Sequence, residues 1–454
     1  MTHGQAPHEP GAESAPRGGF HWPTLATDAL LVSGGALAAN ALNYVYHALL
    51  SRSLGPEAYG TLATLLGIAM IASVAGSAIG TMAMQETARM WALRHDASIA
   101  AFGRQTVRSA LLLALAVAVV MAALAVPLAR FLHIDDAGAW SVLVAALFAG
   151  VITAYARGAI QGAHRFGIYA SSLIAEALVK VGLGVALAAA GLGVFGAMSG
   201  VALGSAMGGI IALGSLFARS QDVQSPAPFD RRAPAAIRLA IIFAASNALL
   251  YVDLVFAKHG LSSTDAGYYG AAGLMARIIP FGVGLVVPLV TPKAVAARHV
   301  SRSDLARLLS VTFGAAMLGA IVVALVMEAW PAQLITLMFG AKFAAASTVL
   351  RLYAVDATLL AFGTLAAGYL AAMGEYGIVP WMAAAVVLEA VLMAFFGDTS
   401  VKLLLCAICG NALLLAPLAY AVLRTLQPPP AQAQSPLLDE VAASPITARS
   451  SDSA

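Results

Sequence analysis

Apolar runs separated by short polar or glycine-rich breaks recur along nearly the whole chain. A helix crossing a bilayer core needs about 20 mostly apolar residues. Twelve runs meet that length, with centres near residues 39, 72, 118, 149, 179, 206, 248, 280, 318, 361, 387 and 412. They fall six and six around residues 218–237, where Ser-Pro-Ala-Pro and Arg231-Arg232 interrupt the pattern. The expected organisation is an N-terminal segment 1–27, a six-helix bundle 28–217, a linker 218–237, a second six-helix bundle 238–424 and a tail 425–454. Residues 1–27 lack the basic-then-apolar design of a cleaved leader. The tail, with Pro428-Pro429-Pro430, reads as disordered.

The two halves repeat. Ser246-Asn247-Ala248-Leu249-Leu250-Tyr251-Val252 aligns without a gap on Ala39-Asn40-Ala41-Leu42-Asn43-Tyr44-Val45, 207 residues earlier. Each copy is followed by a leucine (Leu54, Leu261), a turn and Tyr-Gly (Tyr59-Gly60, Tyr269-Gly270). A repeat at half the chain length predicts two copies of one membrane module, related by an approximate two-fold axis along the membrane normal.

Composition supports this reading. The chain is 60% apolar and 10% charged, against about 25% charged in soluble domains, and its mean hydropathy is +0.85. With both ends placed in the cytoplasm, the inner segments hold 17 Lys and Arg and the outer ones five. That asymmetry is what the positive-inside rule requires. A net charge of +3 argues against a nucleic-acid partner. Cys406 and Cys409 lie in an apolar run and read as small core residues rather than a redox or metal pair.

Polar residues inside the spans are the candidates for function, because lipid does not accept them. Asn40, Asn43, Tyr44 and His47 lie within about 60° of their mean direction at about 100° per residue, forming a stripe on the first span. Asn247 and Tyr251 are its counterpart on the seventh, and the repetition suggests one cavity shared by the halves. Glu176 and Lys180, four apart on the fifth span, are expected to pair. Asp253, Asp356 and Glu389 have no cation at helical spacing and are candidates, with Glu176, for carrying a coupling ion. Arg277 stands in an otherwise uncharged span and is expected to face the bundle interior, as an anion-binding group or as an ion pair with Asp253 or Asp356. Small residues in Gly191–Gly209 allow close helix packing. No Walker motif and no catalytic constellation occur, and no cofactor is expected.

Ser51–Gly60, reading Ser-Arg-Ser-Leu-Gly-Pro-Glu-Ala-Tyr-Gly, resembles the polysaccharide transporter family, as do Asp265-Ala266-Gly267-Tyr268-Tyr269 and the stretch Pro331–Phe343. The likeness runs from Asp28 to about Arg424. It implies a flippase for an undecaprenyl-pyrophosphate-linked oligosaccharide in O-antigen or exopolysaccharide biosynthesis. Such a protein works in the inner membrane by alternating access, with membrane lipid around it and a polysaccharide polymerase and a chain-length regulator in the same pathway. It also implies a substrate role for Arg52, which ends the first span. Arg52 and Arg277 would then hold the pyrophosphate from opposite halves, with Lys180, Asn40, Asn43, Tyr44, His47, Asn247 and Tyr251 as further substrate candidates. The alternatives are a multidrug antiporter of the same fold, which needs an acidic cavity, and a glycan polymerase or ligase, which needs catalytic groups on an outer loop. The longest such loop, 328–347, has no cluster of carboxylates or histidines.

Overall fold

Among the described residues, the chain forms twelve principal helices. The computed structural model describes residues 22–92, 96–217, 233–284, 286, 294 and 302–427. Most of the tail expected as disordered, 428–454, and most of the linker, 218–232, lie outside these residues. The first helical stretch, Trp22–Ala72, is two helices joined at Gly55. That residue has φ 75°, a left-handed conformation natural to glycine, and Pro56 opens the next helix without needing an N–H partner. The spans are therefore α1 (22–54) and α2 (56–72, continued after a kink by Val74–Ala92). Next come α3 (Asp96–Leu132), α4 (Ala137–Gly162), α5 (Phe166–Leu187) and α6 (Gly193–Phe217). A short π-helical turn, Ala188–Leu192, reverses the chain between α5 and α6 with Gly191 and Gly193 at φ 96° and 51°.

The second bundle repeats the plan. It holds α7 (Ala233–Gly260), α8 (Ser263–Ala276, continued by Ile278–Gly284) and α9 (Arg302–Ala329). α10 (Ala346–Ala372), α11 (Val379–Phe396) and α12 (Ser400–Thr425) complete it. A short helix, Pro331–Phe339, leads from α9 toward α10. Among the described residues, helix is already present at Trp22 and Ala233, ahead of the bundle starts expected at 28 and 238. All backbone polar groups of such helices bond within the helix, which is what a bilayer demands. Wide apolar faces on α3 (Leu112, Leu115, Val119) and α9 (Val311, Leu318, Leu325) are exposed and suit lipid.

The glycine-rich run of α6 packs on α5 at backbone distance. A Cβ on Gly200 would stand 2.4 Å from Gly184 Cα, and one on Gly204 2.7 Å from the Glu176 carbonyl. Among the described residues, the two bundles also come to backbone distance at the Gly55 end. There Gly267 of α8 lies so near Pro56 of α2 that a Cβ would come within 1.9 Å of the Pro56 carbonyl. Tyr59 is fully buried between the bundles, edge-on to Phe339 and Phe343 with ring centroids 5.8 and 5.5 Å away. The molecule is thus closed at the Gly55 end.

Candidate functional site

Between the bundles, behind that closure, lies a cavity of about 730 Å³. Its lining runs from His47 and Tyr59 near the closed end to Ser77 and Gly284 toward the other. The first bundle supplies most of the polar surface: Asn40, Asn43, Ser73, Arg157, Glu176 and Lys180. The second contributes Tyr251, Arg277, Pro280 and Phe281.

The α1 stripe faces inward as its helical spacing suggests. Asn40, Asn43 and His47 line the cavity, whereas Tyr44 lies half-buried beside it. His47 Nδ1 is 3.0 Å from the Tyr59 hydroxyl, across the Gly55 break. Of the counterpart pair on α7, Tyr251 reaches the cavity and Asn247 does not.

The expected Glu176–Lys180 pair does not form. Arg157 reaches over from α4, and its Nη2 lies 2.6 Å from Glu176 Oε2. This is a charge contact without an N–H aligned on that oxygen. Arg157 also donates from Nε to Ser172 Oγ at 2.9 Å, and Ser205 of α6 donates to Glu176 Oε1 at 3.1 Å. Helical spacing places Lys180 near Glu176, but a guanidinium from the neighbouring helix, held by a serine, has the better position. Lys180 turns to α1 instead. Its Nζ donates to Asn43 Oδ1 at 2.5 Å and stands 4.5 Å over the Tyr46 ring. Among the described residues no acid forms an ion pair with Lys180. Arg157 itself was legible only as a basic residue near a loop; the apolar Ala156 and Gly158–Ile160 around it were the sign that it lies within a span.

Arg277 faces the interior, as expected, and is buried. Its Nε and Nη2 are occupied by protein partners. Its Nη2 lies 2.9 Å from Asp253 Oδ1 and donates to the Tyr353 hydroxyl at 2.8 Å, while Nε donates to the Leu250 carbonyl at 2.8 Å. Tyr353 and Tyr269 both donate to Asp253 Oδ2. Asp253 therefore has a cation partner from the next helix. Arg52 is exposed at the closed end and donates to the Leu337 carbonyl at 2.7 Å, outside the cavity. The two arginines are not brought to one site. Arg277 takes the ion-pair alternative with Asp253 that the sequence offered, whereas the Leu337 carbonyl as partner of Arg52 was not legible there.

The remaining acids lie deeper in the second bundle. Asp356 Oδ1 accepts from Asn411 Nδ2 at 2.9 Å, and Glu389 is fully buried with no hydrogen-bond partner on either carboxyl oxygen. Arg351 lies at the surface, 3.7 Å from Glu328, and takes no part in this group.

Comparison with known proteins adds the family and the fold. The family model described as polysaccharide biosynthesis protein matches residues 25–292. No curated protein matches the chain. Among solved structures, the inward-facing conformation of a multidrug resistance MATE family transporter of the MOP superfamily superposes with TM-score 0.70 at 15% identity, over 84% of this chain and 94% of that one. The outward-facing conformation of a MATE family transporter of that superfamily gives 0.61 at 15% identity, over 88% and 95%. A MOP superfamily transporter from Pyrococcus furiosus, described as having a binding pocket of reverse polarity, gives 0.60 at 16%, over 88% and 95%. At these identities the likeness is one of fold.

Proposed function

The chain belongs to the polysaccharide biosynthesis protein family, and we propose that it flips a lipid-linked oligosaccharide across the membrane by alternating access. It is a multi-pass membrane protein built like a transporter, and the proposal concerns its cargo and direction. The observation that carries it is the charge of the cavity. Of three cations in the lining, Arg157 is matched by Glu176 and Arg277 by Asp253, which leaves Lys180, among the described residues, as the cation without an ion pair. An ammonium in a half-closed cavity suits the pyrophosphate of an undecaprenyl-linked headgroup. Asn40, Ser73 and Ser77 offer donors and acceptors to sugar hydroxyls. The lipid tail stays in the bilayer.

The basic residues bias the open end toward the cytoplasm, with both termini inside an inner membrane. The headgroup then enters from the cytoplasmic leaflet and leaves when the Gly55 end opens. A polysaccharide polymerase and a chain-length regulator are the partners that such export serves. A multidrug antiporter would need an unmatched acid in the cavity, and the acid there, Glu176, is matched by Arg157. The chain acts as a carrier and not as an enzyme in this reading.

The test is reconstitution. Purified protein in liposomes should move a fluorescent undecaprenyl-diphosphate oligosaccharide between leaflets, measured by quenching from outside. Equal movement with and without the protein, or movement of cationic dyes in its place, overturns the proposal.

A further inference from the structure

Besides the Gly267–Pro56 contact, the closed end is fastened by an aromatic stack between the bundles. Phe131 lies in the last turn of α3 of the first bundle with His133 just beyond it, and His259 lies in the last turn of α7 of the second. The His259 ring lies on Phe131 with centroids 3.8 Å apart and planes 8° apart. Its Nδ1 is 2.6 Å from the Phe131 carbonyl oxygen. The His133 ring lies nearly parallel to His259, at 5.7 Å and 15°. His133 has φ 54°, in the left-handed region, and this turn lets it lie beside His259 after α3 has ended. Both imidazoles are exposed to solvent. The stack bridges α3 and α7, so any opening that parts these two helices breaks it.

We propose that His133, Phe131 and His259 form a proton-sensitive latch on the closed end. With neutral rings the stack and the hydrogen bond hold the bundles together. His259 donates its Nδ1 proton to the Phe131 carbonyl and can take a second proton on Nε2 without losing that bond. One imidazolium is tolerated, since a cation stacks well on an aromatic face. Two imidazoliums at the observed spacing repel each other, and the closed state loses this fastening. Histidine is the side chain that changes charge in the range of a mildly acidic exterior.

Among the described residues no carboxylate pairs with either imidazole. Arg130 on α3 and Lys258 on α7 add positive charge. Of the acids at this end, Glu57 acts on Lys258 and Asp136 accepts from the Ala139 N–H at the start of α4. Asp265 accepts from the Ser262 hydroxyl, and Asp398 is paired with Lys402 at 2.7 Å. Asp135, Asp136 and Asp265 keep their negative charge, since accepting a neutral N–H or O–H does not discharge a carboxylate, but none of them pairs with the stack. The latch thus favours opening toward an acidic exterior, whatever cargo the cavity takes.

The experiment replaces Cys406 and Cys409 by serine, places spin-labelled cysteines at Ala137 and Thr264, exposed positions on opposite bundles at this end, and measures their separation in lipid nanodiscs. Between about pH 7.5 and about pH 5.5, which bracket an ordinary imidazole, the wild-type latch should shift several-fold from the short to the long separation. His133→Asn, which tolerates the left-handed backbone, and His259→Phe, which keeps the stack, should each show the same distribution at both values. Both sites are exposed, so folding is retained, and a matching gel-filtration profile confirms it. A wild-type distribution indifferent to pH, or either variant following the wild type, overturns the latch.

Discussion

Arg277 Nη2 stands 2.9 Å from Asp253 Oδ1 with both side chains buried, so this lining cation is ion-paired to α7 within its own bundle. Removing one member leaves a charge without compensation at membrane depth, which costs about 3–5 kcal/mol in buried pairs. Arg277→Gln and Asp253→Asn alone should each lower the thermal midpoint of the detergent-solubilised protein strongly. The double variant should recover most of that loss. If the double variant melts as low as the sum of the singles, the pair is not the reason for the arginine.

Lys180 is predicted to carry the substrate's charge. Lys180→Gln keeps a donor for Asn43 and should leave the melting curve near the wild type. It should slow flipping by roughly 10- to 100-fold, the range of a lost hydrogen bond to a charged group. Lys180→Arg should retain part of the rate. A reconstituted flipping assay with a diphosphate lipid decides this, and full activity in Lys180→Gln removes the group from the site.

What could be read from the sequence follows from the physics of each feature. Bilayer thickness fixes span length, so all twelve helices were visible in the hydropathy pattern. Helical spacing made the inward face of Asn40, Asn43 and His47 visible. The Glu176–Lys180 pair was misjudged because spacing along one helix says nothing about Arg157, which arrives from α4. The same blindness hid Asn411 beside Asp356 and the stack of His133 on His259. Contacts between spans depend on how whole helices pack, and a single sequence does not encode that in any local pattern.

Asp356 and Glu389 are predicted to serve ion coupling. A carboxyl enclosed as Glu389 is, with neither oxygen bonded, is stable only when a proton or cation compensates its charge. Glu389→Gln and Asp356→Asn preserve shape, and Asn can still bond Asn411. Each variant should fold, and in at least one of them flipping should no longer respond to an imposed pH or sodium gradient. An unchanged response in both would exclude the two acids as coupling groups.

The last prediction separates a contact within a bundle from one between bundles. A Cβ on Gly158 would meet the Gly80 carbonyl at 1.9 Å, and a Cβ on Gly267 would meet the Pro56 carbonyl at the same 1.9 Å. The clashes are equal, but their surroundings differ. Gly158 on α4 presses on α2 inside the first bundle, where neither helix can withdraw without losing its packing. Gly158→Ala should therefore lower stability by about 1–3 kcal/mol, as overpacking does. Gly267 on α8 presses on α2 across the interface that has to part during transport. There the molecule can relieve the clash by leaving the closed state. Gly267→Ala should thus melt closer to the wild type than Gly158→Ala, while the labels at Ala137 and Thr264 report a larger population of the long separation. Binding of a ligand from the Gly55 side should improve correspondingly, since a favoured state binds better in proportion to its population. If Gly267→Ala instead loses stability as Gly158→Ala does, with the label separation unchanged, the α2–α8 contact belongs to the rigid core and the opening runs along another seam.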